Sequence, residues 1–313
     1  MIPSGYMLQS VHGRNGQSVV RRTPMGPDKL RILDSPNLRE PRLVLGFSGW
    51  MDGGEVSTGT VGYLIRRLSA KPLAEIASEG FYLYNIPGPM EMTALFRPQT
   101  RIREGLVEAF EFPTNTFFCD QANDLILFTG REPNLQWEVF ADCILEVCRR
   151  FGARRLYSVA SVSSLVPHTR EPRLFCTASS QELKTQFQRY GVRFTDYEGP
   201  ASIVTYITSR CTGAGLEMVG LVATVPAYVQ GSNPKCIEAI TRRLAGMLQL
   251  NLDMDDLRSV SDEFERKIAE LVQQQPELAK NIGRLEEDYD NQIFNSEMGE
   301  LRQWLEQQGI RLD

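Results

Sequence analysis

No stretch of the 313-residue chain approaches the ~18 uninterrupted apolar residues of a membrane-spanning helix. Its beginning, Met1-Ile2-Pro3-Ser4-Gly5, has neither the basic region nor the apolar segment of a signal peptide, so a soluble, cytoplasmic protein without a membrane partner is expected. Six cysteines (119, 143, 148, 176, 211, 236) are scattered with no C-x-x-C, as buried thiols of a reducing compartment are. Only two histidines occur, His12 and His168, and neither has a His or Cys neighbour at ligand spacing. That excludes a zinc site on counting alone, and no metal or cofactor is expected. A concentrated basic surface is also missing. Residues 251–313 hold 16 acids against 7 bases, and residues 1–250 hold 23 against 27. A mildly basic core with an acidic C-terminal region is a poor match for nucleic acid.

What is present is an ordinary globular composition, 42% hydrophobic and 23% charged. A core of ~250 residues buries about three quarters of its unfolded-chain surface and needs no disulfide or metal staple. The pattern divides the chain into three parts: an N-terminal arm at 1–40, an α/β core at 41–252 and an acidic helical hairpin at 253–313. In the arm, the short apolar alternation near Leu30-Arg31-Ile32-Leu33 suggests one edge strand. The core opens with Arg42 to Phe47, a continuous apolar run of buried-strand type. A glycine-rich turn and a helix from Glu55 to Leu68 follow. Further strands are predicted at 75–77, 124–128, 155–160 and 216–223, and helices at 135–151, 179–190, 202–211 and 235–250. Alternating strands and helices predict a sheet covered on both faces. In the last part, Leu257, Val260, Phe264, Ile268 and Leu271 form an apolar helical stripe. It restarts after Pro276 with Leu278, Ile282, Leu285, Tyr289 and Ile293, and later Leu301 and Leu305. This hairpin is expected to dock through its stripe.

Candidate chemistry sits in the loops. Gly46-Phe47-Ser48-Gly49-Trp50 fails as a nucleophile elbow, because Trp50 stands where G-x-S-x-G requires glycine. Walker and dinucleotide fingerprints are absent. The turn Gly49-Trp50-Met51-Asp52-Gly53-Gly54-Glu55 could bring backbone amides to a ligand, with Asp52 or Glu55 near the helix start as a cap or a hydroxyl partner. Pro167-His168-Thr169-Arg170 joins an imidazole to a guanidinium and could hold an anion or a partner. Glu198, in Tyr197-Glu198-Gly199-Pro200, is expected to pair with Arg170. Trp50, Asp52, Gly53, Glu55, His168, Arg170 and Glu198 are therefore the candidate ligand- or partner-binding residues, and none is assigned a catalytic role. Trp137 is expected in the core.

Five ordered motifs carry a resemblance: residues 46–54, Gly130-Arg131-Glu132-Pro133 with Trp137, Pro167-His168-Thr169-Arg170, Tyr197-Glu198-Gly199-Pro200, and Val225-Pro226-Ala227-Tyr228-Val229. Over roughly residues 40–252 the chain resembles the bacterial and archaeal branch of the proteasome assembly chaperone 2 family. The resemblance implies a purine nucleoside phosphorylase-like fold, with a mixed central sheet flanked by helices, and assembly into homo-oligomers such as trimers. Gly53 stands where relatives often have alanine, and Ala227 where histidine is common. Archaeal relatives engage the proteasome through a C-terminal hydrophobic–tyrosine tail, whereas this chain ends Gly309-Ile310-Arg311-Leu312-Asp313. The expected function is that of a non-catalytic assembly or binding protein with a protein partner. The alternative is an enzyme or sensor for a nucleoside-like or other small ligand.

Overall fold

The structure, a computed structural model, describes residues 28–307. Residues 1–27 with His12, most of the expected arm, lie outside the described residues, as do 308–313.

A nine-stranded sheet organises the chain. In chain order its strands are β1 (Leu30–Ile32), β2 (Arg42–Ser48), β3 (Lys71–Ile76), β6 (Thr116–Asp120), β7 (Leu125–Arg131), β8 (Arg155–Ser164), β9 (Leu174–Ala178), β10 (Arg193–Phe194) and β11 (Glu217–Pro226). Across the sheet the order is β1-β3-β6-β7-β2-β8-β11-β9-β10. The four central strands β7, β2, β8 and β11 are mutually parallel. Beyond them, β6, β3 and β1 on one side and β9 on the other pair antiparallel, and β10 joins β9 in parallel. The sheet is therefore mixed.

Side-chain alternation sorts the core into two layers. Leu43, Leu45 and Phe47 of β2 join Ile126, Phe128 and Met218 on one face, against α3 (Trp137–Phe151) and α5 (Ile203–Gly213). This layer is aromatic: Phe47, Phe117 and Phe140 surround Phe128, with centroids 4.6–6.3 Å away. Val44, Leu127, Tyr157, Val159, Val219 and Leu221 point the other way, against α1 (Val56–Arg67) and α6 (Pro234–Leu248). Gly46 lets β2 and α1 meet. A Cβ there would lie 2.7 Å from Val61 Cγ2 and 2.9 Å from the Ser57 carbonyl. Leu183 and Phe187 of α4 (Gln181–Phe187) join this second layer, and the helix is capped by Ser180, whose hydroxyl accepts from Leu183 N. All six thiols are free and buried, and burial pushes Cys119 and Cys211 up to about 11.

Between β3 and β6, after the buried Phe81 and Tyr82, the chain leaves the core. A short helix α2 (Met90–Ala94) and a separate two-stranded ribbon, β4 (Gln99–Arg103) and β5 (Leu106–Glu111), hold Met90, Leu95, Ile102, Leu106, Val107 and Phe110 exposed.

After α6 come α7 (Asp255–Gln273) and α8 (Pro276–Gln307). Pro276 opens α8, where its missing N–H costs nothing. Leu257, Ile282 and Tyr289 of the stripe are buried, Phe264, Ile268, Leu278, Leu285 and Ile293 are half-buried, and Val272, outside the stripe, is buried in place of its neighbour Leu271. Val260 and Leu271 remain exposed. Leu301 and Leu305 lie outside the residues whose side chains are described. No helix among the described residues is long and apolar enough to cross a membrane.

Candidate functional site

The motif loops gather where β2, β8 and β11 end. Ligands of open α/β sheets bind in the crevice outside the carboxyl ends of parallel strands. The turn after β2 is tied to β8: Ser161 N donates to the Met51 carbonyl at 2.8 Å and Ser161 Oγ to the Gly53 carbonyl at 2.6 Å. Asn233 N donates to the Gly54 carbonyl at 2.8 Å, linking the turn to the loop after β11. Gly49 packs against Glu132, whose Oε1 accepts from Ile203 N at 2.9 Å, bringing in the start of α5.

Within this cluster most polar groups are spent on structure. Asp52 caps α1 from outside: Oδ1 accepts from Ser57 N at 2.7 Å and Thr58 N at 3.2 Å, and Oδ2 from Thr58 Oγ1 at 2.7 Å. Burial raises its pKa above the ordinary carboxylate value, against the lowering effect of these bonds. Gly54 turns at φ +63°, and a Cβ would meet Asn233 Cβ at 2.9 Å. A Cβ on Gly53 would find only ordinary contacts, the nearest at 3.6 Å. Glu55 is exposed, with a left-handed backbone of φ 53°. Trp50 projects into solvent, 56% exposed.

His168 is 3% exposed. Its backbone N–H donates to Tyr228 Oη at 2.7 Å, and its Nδ1 lies 2.8 Å from the same oxygen. Burial lowers its pKa below the ordinary 6.5, opposed by Glu265 and Glu286 and aided by Lys235. Lys235 Nζ donates to the His168 carbonyl at 2.6 Å and pairs with Glu265 of α7 at 2.5 Å. The cavity between His168, Arg170, Asn233 and Phe264 has a volume of about 10 Å³, room for no more than one water.

The rest of the loop is covered by α8. Arg170 forms a two-bonded pair with Asp290, at 2.9 and 2.8 Å, and lies 3.6 Å from Glu286, which also accepts from Thr169 Oγ1. Arg173 stacks 4.1 Å from the Tyr289 ring centroid and donates to Gln292 at 2.6 Å. Tyr289 Oη donates to the Glu171 carbonyl at 2.6 Å. The guanidinium read from the sequence as an anion or partner contact is thus taken by the acidic face of the chain's own last helix.

The structure brings Asp52, Gly53, His168 and Arg170 to one edge but not into one pocket. Glu198 departs from expectation: it is exposed and forms no salt bridge among the described residues, because α8 already neutralises Arg170. Trp137 is half-buried, with Nε1 donating to the Pro133 carbonyl at 2.7 Å. Sequence reasoning left Asn233, Lys235, Glu286, Tyr289 and Asp290 out of the site, although all five bind its loops. Tyr228 had a signal, its place in Val225-Pro226-Ala227-Tyr228.

Comparison with known proteins agrees with this arrangement. A Mycobacterium tuberculosis protein of unknown function has 25% identity and a TM-score of 0.77, over 90% of this chain and 96% of the other. The proteasome-assembly chaperone homologue of the same organism has 29% identity and a TM-score of 0.67, over 77% and 99%. PbaB, an archaeal proteasome activator of Pyrococcus furiosus, shares the fold at 19% identity and a TM-score of 0.60, over 79% and 99%. No curated protein sequence matches. Residues 46–272 match the PAC2 family, and with the motif loops at the strand ends of a mixed sheet, the chain belongs to that family.

Proposed function

We propose that this protein is a non-catalytic assembly factor that acts on a protein partner in a proteasome-assembly-like role. The observation that carries the reading is how the side chains are used. Asp52, His168 and Arg170 are consumed by internal contacts, whereas Trp50 and Leu165, on loops leaving neighbouring strands, stand 56% and 77% exposed. Large apolar groups held in water mark contact surfaces. The Mycobacterium tuberculosis proteasome-assembly chaperone homologue supports the nature of the partner. The α2 and β4–β5 excursion is read as the contact between copies in a homo-oligomer, since an isolated two-stranded ribbon is marginal in water. A cytoplasmic location and a phosphorylase-like type of sheet belong to the same reading.

The test mixes the full chain with the proteasome core subunits encoded by the same genome, followed by native mass spectrometry. A complex with those subunits and faster ring formation are expected, both weakened by Trp50→Ala. Val107→Asp with Phe110→Asp should lower the subunit number in light scattering. Absence of any complex at tens of micromolar, well above the affinity of specific contacts, would remove the reading.

A further inference from the structure

A second cleft opens at the same end of the sheet, on the side away from His168. Its volume is about 260 Å³, near the lower end for small-molecule sites. Ser48 and Arg131, partners in the parallel register of β2 and β7, line it with Thr129, and Arg97 lines it from the excursion. Phe112 adds an aromatic wall.

The electrostatics single this cleft out. The other arginine of the motif loops, Arg170, is neutralised by Asp290. Among the described residues, neither Arg97 nor Arg131 forms a salt bridge. The Arg131 guanidinium donates only to the Leu95 carbonyl and that of Arg97 only to Asn85 Oδ1, at 2.9 Å. Each guanidinium has five donors, so most of both forks stay available. Ser48 Oγ reaches the Gly130 carbonyl only at 3.5 Å, a weak bond that is readily exchanged. Two carboxylates are near. Glu111 lines the cleft, and Asp52 sits behind Thr58, where three donors of α1 already hold it. Two cations against one unengaged anion leave the cleft positive.

The geometry points to this cleft as a binding site for a small oxyanion-bearing molecule, with the oxyanion held between Arg97 and Arg131 and an apolar portion against Phe112. Guanidinium forks pair with carboxylate and phosphate alike through parallel N–H···O bonds. Ser48, which fails as a nucleophile for want of an elbow, then has a role as a hydroxyl donor. The site goes beyond the assembly reading and shares with it only the excursion that supplies Arg97.

Isothermal titration of the full chain at constant ionic strength, with inorganic phosphate and with succinate as separate probes, tests it. Saturable binding of phosphate alone assigns a phosphoryl ligand, and binding of succinate alone a carboxylate. Arg97→Gln and Arg131→Gln should each weaken the probe that binds by about tenfold, or about 1.4 kcal/mol. Arg101→Gln, on the exposed ribbon, should not. Because Arg131 also ties the excursion to β7, Arg97→Gln is the variant that separates binding from folding, checked by an unchanged melting curve. No saturable binding of either probe, or equal weakening by all three substitutions, overturns the proposal.

Discussion

Replacing Tyr289 should free the last helix from the core. The ring is 7% exposed and lies under Arg173, and its hydroxyl donates a hydrogen bond to the Glu171 carbonyl. An aromatic residue buries about 150–250 Å², and its truncation to alanine costs about 3–5 kcal/mol at a buried site. Tyr289→Phe keeps the ring and loses only the hydroxyl bond, about 1 kcal/mol. The adjacent Arg170–Asp290 pair is exposed, and an exposed pair shifts a local equilibrium by no more than a few-fold. Hydrogen exchange followed by peptide over residues 276–295 reads the difference. Tyr289→Ala should lower protection by about 100-fold or more, Tyr289→Phe by about fivefold, and Asp290→Asn less than either. Meanwhile β2 and β8 should exchange as before, since their layers do not include the helix. If Asp290→Asn releases α8 as fully as Tyr289→Ala, charge and not burial holds the helix, and the reasoning is wrong.

Two other outcomes follow from the site. Because burial lowers the His168 pKa below 6.5, the unfolded chain binds the extra proton first. The stability this contributes is complete above about pH 6.5 and is lost as pH falls toward the folded pKa. Melting temperature should therefore drop between about pH 6.5 and 5, His168→Gln should flatten that slope, and an unchanged slope would clear His168 of the effect. In the turn, Gly54→Ala forces a left-handed φ and a 2.9 Å contact, so it should cost about 1–3 kcal/mol in urea unfolding. Gly53→Ala should stay within about 0.5 kcal/mol, and equal losses at both positions would contradict the geometry.

How far the sequence could be read depended on where each element is buried. The central strands announced themselves because strands covered on both faces are continuous apolar runs, as in Leu43-Val44-Leu45 and Leu125-Ile126-Leu127-Phe128. The flanking strands Thr116–Asp120 and Leu174–Ala178 are five residues each with mixed exposure, and they gave no such run. Nothing in Gln99 to Glu111 signalled a ribbon, because its apolar residues face no core with which to alternate. At the site, a capping role for Asp52 was open from its position before a helix. The partner of Arg170 was not, since Asp290 is 120 residues away and only tertiary structure brings it back. Glu198, 28 residues from Arg170, was the nearer guess and the wrong one.

The place of β2 in the middle of the sheet has a consequence for the birth of the molecule. Both of its hydrogen-bonding neighbours, β7 and β8, are encoded later, the nearer one ending about 80 residues downstream. At roughly 5–20 residues per second, the ribosome takes about 4–16 s to supply β7 after β2 is made. During that interval Val44 can pack on α1, whereas α3 and α5, which cover Leu43, Leu45 and Phe47, have not been made, and both backbone edges of the strand are bare. Such non-local pairing slows folding and leaves nascent chains open to mispairing. Slowing translation across residues 70–130 should lengthen this window and raise the aggregated fraction, whereas slowing it beyond residue 255, once every strand has been made, should not.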